Sequence, residues 1–189
     1  MELRYKIVVP PAGFVLTLEE IKEALKVSTT DEDYLIQTYL AAATEQVEQR
    51  LSVCLLTQTI DQYFDRFPTS KRFLELARGP MQSVTAVTYT DANGNLLTWN
   101  SSLYATDTIS RKPRIGPKQL QTWPLVEQNL NAVKVRFVAG YGGRNSVPAQ
   151  FKHLILTIIG DWYQHRDNPV QERKTRADYL IRRLKLTSV

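Results

Sequence analysis

One cysteine, Cys54, stands in a chain of 189 residues, so an internal disulfide is excluded and a reducing, cytosolic origin fits. Its place near the end of a predicted helix makes it a buried structural thiol rather than a reactive one. Histidine is nearly as scarce. His153 and His165 lie twelve residues apart, too far to chelate a metal as an i, i+4 pair, and no His-Glu-x-x-His motif exists, so no metal site is expected. No apolar run approaches the length of a membrane span, and Met1–Pro10 holds only Ile7-Val8-Val9, well short of a signal peptide's core. The glycine turn Gly140-Tyr141-Gly142-Gly143 lacks both the Gly-Lys-Ser/Thr ending and the G-x-G-x-x-G spacing of phosphate loops, which leaves a structural turn. There is no G-x-S-x-G elbow, and no histidine lies near Cys54 in sequence. Carboxylates such as Asp61, Asp65, Asp161 and Asp167 are plentiful, but nothing in their spacing makes two of them converge. An enzyme is not expected, nor a cofactor.

Charge is present but unevenly placed. Residues 1–143 carry 15 Lys/Arg against 15 Asp/Glu, while residues 144–189 carry 9 against 4 and so hold the whole excess of +5. A basic tail on a neutral body suits an acidic partner, protein or nucleic acid, or is simply a solvated helix end.

The strongest pattern runs from Asn131 to Asp167. In it Val133, Val135 and Phe137 alternate with Lys134 and Arg136, the period of a half-buried strand. The glycine turn ends that strand, Asn145 or Ser146 is placed to cap a helix, and Pro148 suits its first turn. Phe151, Leu154, Ile155, Ile158, Ile159 and Trp162 then make one apolar face, with Gln150, His153, Thr157, Asp161 and Gln164 opposite. Burying those six side chains would contribute roughly 1.5–3 kcal/mol each before entropy is charged against it. This is a core helix, and His153 on its polar stripe faces solvent.

Upstream, Met1–Leu16 with Pro10-Pro11 reads as an extended arm rather than a packed element. Thr17-Leu18-Glu19-Glu20 is a capping box opening a short helix to about Lys26. A second start at Thr29-Thr30-Asp31 opens a helix to about Val53, with Leu35, Ile36, Tyr39, Leu40, Ala43, Val47 and Leu51 on one stripe. Ala41, Ala42 and Ala43 keep its middle slim enough for another helix to approach. From Leu56 to Val138 β-branched and aromatic residues dominate. Candidate strands are Thr57–Phe64, Arg72–Leu76, Ser83–Thr90 (with a bulge between Val84 and Val87), Asn95–Trp99, Leu103–Thr106 and Ala132–Val138. Asp91-Ala92-Asn93-Gly94 is a hairpin turn, with Asn93-Gly94 suited to left-handed backbone. Ser110–Leu120, with Arg111, Lys112, Arg114 and Lys118, reads as a basic loop. Trp99, Trp123, Trp162 and Tyr163 suit packing better than base stacking.

Beyond Asn168-Pro169, Tyr179, Leu180, Ile181, Leu184 and Leu186 sit among Arg182, Arg183 and Lys185. That is an amphipathic helix with little to pack on in its own chain. The fold class is α+β. An arm (1–16) precedes a small helical bundle (17–55 and 144–167) with a β-rich insertion (56–143) between its second and last long helices, and a basic amphipathic tail (168–189) follows. Leu35, Tyr39, Val47, Leu51, Phe151, Ile155, Ile158 and Trp162 form the expected bundle core.

In this order the residues resemble the head–tail connector, or head-completion adaptor, family of long-tailed double-stranded DNA bacteriophages, in its longer version with a β-rich insertion. The resemblance rests on Leu18 to Val27, on Asp31-Glu32-Asp33 before Leu35, and on Ala41–Leu51. It continues through Gly79-Pro80-Met81-Gln82-Ser83-Val84, Tyr89 to Gly94, Trp123-Pro124, Phe137 to Gly142, Val147-Pro148 and Trp162-Tyr163 with Arg166. It implies a non-enzymatic virion protein of the head–tail interface, present in the host cytoplasm during assembly. Such proteins form a ring, usually twelvefold, between the portal protein and the next connector, stopper or tail protein, with double-stranded DNA passing through the lumen without sequence-specific binding. On that footing Tyr179, Leu180, Ile181 and Leu184 insert into the portal, Arg182 and Arg183 pair with its acidic groups, and deleting residues after Asp167 abolishes portal binding but spares the fold. The rival expectation is a DNA-binding module gripping phosphates with its basic tail and the 111–118 loop.

Overall fold

A computed structural model describes residues 4–110, 112–127, 129–165 and 175–187. Arg111, Arg166, Asp167 and the start of the tail from Asn168 lie outside them. Among the described residues the architecture is α+β, with four α-helices and two antiparallel sheets, most of the β structure falling between the second and third helices. The chain divides into a sheet unit (residues 1–11 and 57–140) and a helical unit (12–56 and 141–189). No helix among the described residues is long and apolar enough to cross a membrane.

In the helical unit, α1 (Leu18–Leu25) begins at the expected capping box. Thr17 Oγ1 accepts from the Glu20 amide at 3.1 Å, and Glu20 Oε2 accepts from the Thr17 amide at 2.7 Å. Helix α2 (Asp33–Leu51) starts at Asp33 rather than at Thr29-Thr30-Asp31, with no side-chain cap, and Ser52 closes it at φ 54°. In α3 (Ala149–Gln164) the cap also differs from expectation. Asn145 and Ser146 lie in a 3-10 turn, and Pro148 takes the N-cap position with φ −56°, its missing N–H costing nothing there.

One buried cluster joins Val15, Leu16 and Ile21 to Ile36, Leu40, Ala43, Val47 and Leu51 of α2 and to Phe151, Leu154, Ile155, Ile158 and Ile159 of α3. Tyr39 and Trp162 pack against it half-buried, their rings edge to face at 5.7 Å. Leu35 is only half-buried, and of the three alanines only Ala43 faces inward. The tail departs most from its sequence reading. Helix α4 (Arg176–Thr187) packs on its own chain, with Ala177 and Ile181 buried in this cluster and Leu180 and Leu184 packed against it.

The sheet unit is built around β8 (Val133–Ala139). Its buried Val133, Val135, Phe137 and Ala139 alternate with half-buried Lys134, Arg136 and Val138, as its period of two predicts. It pairs with β2 (Gln58–Phe64) on one side and β4 (Met81–Thr90) on the other. The expected bulge in β4 falls between Val84 and Ala86, and a second lies between Met81 and Ser83. A short β5 (Leu96–Thr98) closes one edge through a turn in which the Asp91 carboxylate accepts from the amides of Asn93 and Asn95. Gly94 alone takes the left-handed backbone, at φ 83°, because the aspartate already fixes the residues around it. The opposite edge corrects the reading of the arm: Tyr5–Val9 is a strand, β1, paired with β2.

A second sheet, in the order β3-β7-β6, joins β3 (Leu74–Glu75), β7 (Arg114–Pro117) and β6 (Tyr104–Asp107). Part of the segment expected to be a basic loop is therefore its central strand. Glycine is required there by crowding. A Cβ on Gly116 would stand 2.6 Å from the Arg72 carbonyl oxygen and 2.8 Å from the Phe73 ring. Gly116→Ala is expected to cost about 1–3 kcal/mol, as overpacking does, read as a lower urea midpoint with unchanged slope.

Candidate interaction surfaces

Each displaced carboxylate titration traces to a structural contact. Asp61 is held below the usual range first by its hydrogen bonds from Arg136, whose Nε and NH2 donate to Oδ1 and Oδ2 at 2.7 and 2.8 Å. Asp107 is lowered further, by the Ser110 hydroxyl first and then by Arg114. Its Oδ1 also accepts from the amides of Ile109 and Ser110, so it ties a turn. Asp65 pairs with Arg4 at 2.6 Å. Among the described residues no group of three histidine, cysteine or acidic side chains is placed to hold a metal. A cavity of about 460 Å³ in the sheet unit is lined by Phe64, Phe67, Phe73 and Leu74, with Glu75 its one carboxylate. It offers no converging acids for acid–base work. Cys54 is fully buried.

The aromatics pack on one another. Phe67 stacks on Trp123 at 4.8 Å, and Trp99 lies 5.0–5.7 Å from Tyr104, Trp123 and Phe67. The basic segment is partly neutralised as well. Arg114 is bonded to Asp107 through Nε and NH2 and lies over the Phe73 ring, leaving Lys112 and Lys118 as its exposed cations among the described residues.

Apolar exposure is one-sided. Of fourteen large apolar or aromatic residues exposed among those described, eleven belong to the sheet unit, including Ile7, Val8 and Val9 on its β1 edge and Ile109, Leu120 and Leu125 in loops. Ile109, 96% exposed, stands on the turn that Asp107 ties. Among the described residues the helical unit exposes Phe14, Tyr34 and Tyr179. Sites of association show this concentration of apolar surface.

On α4 the six residues singled out in the sequence part company. Ile181 is 3% exposed, Leu180 and Leu184 are half-buried, and Tyr179, Arg182 and Arg183 are exposed. Inserting the whole stretch into a partner would pull Ile181 from its own core, at roughly 1.5–3 kcal/mol. The exposed members of the stretch are Tyr179, Arg182 and Arg183. These sit at i, i+3 and i+4 on one stripe.

The start of α4 is itself a reciprocal cap. Asp178 Oδ2 accepts from the Thr175 amide and hydroxyl at 3.0 Å, and Arg50 NH1 donates to Oδ1 at 2.6 Å. The Thr175 amide first, then Arg50, lowers the Asp178 pKa. A carboxyl whose folded pKa is depressed stabilises the folded form fully above its unfolded value, about 3.9, and progressively less as pH falls through the folded one. Protection of the α4 amides, measured against the intrinsic exchange rate at each pH, is therefore expected to fall below about pH 4, and Asp178→Asn to blunt that dependence.

Residues 15–87 match the family model described as phage gp6-like head-tail connector protein. No curated protein sequence matches the chain. Among solved structures, a chain from the virion of a native gene transfer agent (GTA) particle superposes with a TM-score of 0.77 at 20% identity, covering 95% of this chain and 93% of that one. A chain from the neck of an empty GTA particle, computed with C6 symmetry, gives 0.77 at 21% identity over 95% and 94%. A chain from the neck of a native GTA particle, computed with C12 symmetry, gives 0.73 at 20% identity over 97% and 94%. The fold of this chain is thus that of these particle proteins over nearly its whole length.

Proposed function

We propose, starting from the head–tail connector match of residues 15–87, that this chain is a structural protein of a virion neck. It forms a ring between the portal and the next connector or tail protein, with the genome passing through the lumen. The observation that carries the proposal is the agreement of fold, over 95% of the chain, with proteins of GTA particles, two of them from necks computed with C6 or C12 symmetry. The exposed apolar surface of the sheet unit supports it, because a ring subunit carries contacts that are uncovered only when it is alone. The equal count of acidic and basic residues over 1–143 suits a conduit, since rows of phosphate-facing cations would hold passing DNA strongly. The DNA-binding reading is weaker on the geometry, because Arg114 is committed to Asp107.

The test is co-sedimentation with portal rings of the same virion, followed by imaging of the pellet. A ring of this protein capping the portal is expected. Protein left in the supernatant that shifts duplex DNA, with affinity falling steeply with salt, would overturn the reading in favour of DNA binding.

A further inference from the structure

The helical unit carries opposite charge at the two ends of α2. At the N-terminal end, Lys22 of α1 bridges to Asp33 at 2.7 Å; at the C-terminal end, Asp178 of α4 bridges to Arg50 at 2.6 Å. With a rise of 1.5 Å per residue, those anchor points lie about 25 Å apart. On the first end Glu19, Glu23 and Asp31 are exposed and have no partner among the described residues. Tyr34, 84% exposed, lies in the first turn of α2 there, and Phe14, 52% exposed, precedes α1. On the second end Arg182 is exposed with no partner among the described residues, Arg183 is exposed beside it, and Tyr179 is 68% exposed.

Each end thus pairs an exposed aromatic with a net charge, acidic at the first end despite exposed Lys26 and basic at the second despite exposed Glu45, and aromatic and arginine anchors carry most of the energy in protein interfaces. Either end would repel its own kind, since juxtaposed like charges cost several kcal/mol, so a twofold contact of one end with itself is disfavoured. Opposite ends attract. We propose that copies of this chain associate head to tail, with the Tyr179, Arg182 and Arg183 face of α4 docking on the Glu19, Glu23 and Tyr34 end of the next copy. Such a contact uses two different patches of one molecule, so it closes into a ring when its rotation allows. It deepens the connector reading and rests on it for ring closure; the contact itself needs no portal. The inward face of α4, with Ala177 and Ile181, holds the docking stripe rigid.

The experiment is a charge swap followed by sedimentation velocity at low salt. One variant carries Arg182→Glu and Arg183→Glu, the other Glu19→Arg and Glu23→Arg; circular dichroism checks that each keeps its helix content. The wild-type mass is expected to rise with concentration and to fall back as salt screens the contact. Each variant alone should associate at least about tenfold more weakly. An equal mixture should regain association, because each variant's reversed end then meets its complement. Wild-type protein that stays monomeric over the whole concentration range, single variants that associate like wild type, or a mixture that stays dissociated would each overturn the proposal. The connector reading stands or falls separately. An arginine variant that self-associates normally but no longer co-sediments with portal rings would assign the α4 face to the portal. Self-association without any portal binding would sink the connector reading and keep the contact.

Discussion

Ile181→Asp is expected to unseat α4 and to lower the stability of the helical unit by about 3 kcal/mol or more. Ile181 is 3% exposed, on the inward stripe with Ala177 and Leu184. Losing its burial removes roughly 1.5–3 kcal/mol. A carboxylate cannot replace it, because an unpaired charge in an apolar setting costs more than α4 gains by docking. The helix therefore leaves the surface, and the loss is capped at what docking contributed. For a chain of this size each kcal/mol moves the melting temperature by roughly 2–4 °C, so a fall of about 6–12 °C is expected. Hydrogen exchange at the α4 amides should rise toward that of an isolated segment, since a helix of twelve residues is marginal in water without tertiary contacts. Tyr179→Asp, on the exposed stripe, is the control and should change stability by less than about 0.5 kcal/mol. Equal, small effects at the two positions would mean that α4 stands away from the core. The same packing changes what truncation after Asp167 should do: it uncovers the surface that Ala177 and Ile181 cover, so it is not neutral for the fold.

The tail shows where sequence stops informing. Tyr179 to Leu186 announces an amphipathic helix, and the helix is there, but periodicity reveals only that a face is apolar, never which surface takes it. Here that surface is assembled from α2 and α3, more than a hundred residues upstream in the case of α2. Local signals fared better wherever the interaction itself was local. The capping box at Thr17 and Glu20, the turn at Asp91 and the alternation of β8 each depend on neighbours within a few residues. Strand β1 was hidden because edge strands need no alternation. All of Lys6 to Val9 is exposed, and Pro10-Pro11 suggested an arm. Strand β7 was hidden because Arg114-Ile115-Gly116-Pro117 has poor intrinsic strand character and is held by its partners on both sides. The candidate docking ends were half legible. The basic excess past residue 144 is plain in the sequence, but that α2 separates it from Glu19 and Glu23 became visible only once Arg50 met Asp178 and Lys22 met Asp33.

The second large effect is expected in the sheet unit, where Phe137→Ala should cost about 3–5 kcal/mol. Phe137 is fully buried at the centre of β8, opposite Ile60 of β2 and Val84 of β4. Truncating it leaves a cavity between two paired strands whose backbone ladders restrain collapse, and a cavity that cannot collapse keeps its full penalty. Against total stabilities of about 5–15 kcal/mol the variant should be near its unfolding threshold at ambient temperature. Val138, the next residue, lies half-buried on the opposite face, beside Thr59 and Ser83. Val138→Ala should cost less than about 1 kcal/mol, the scale of a partly exposed surface change. The contrast tests register directly. Sliding β8 by one residue against its neighbours would exchange the faces and turn Val138 inward. Urea unfolding of the two variants reads the difference, and a larger loss at Val138 than at Phe137 would show that the strand pairs in the other register, taking Lys134 and Arg136 off the polar face on which Arg136 meets Asp61.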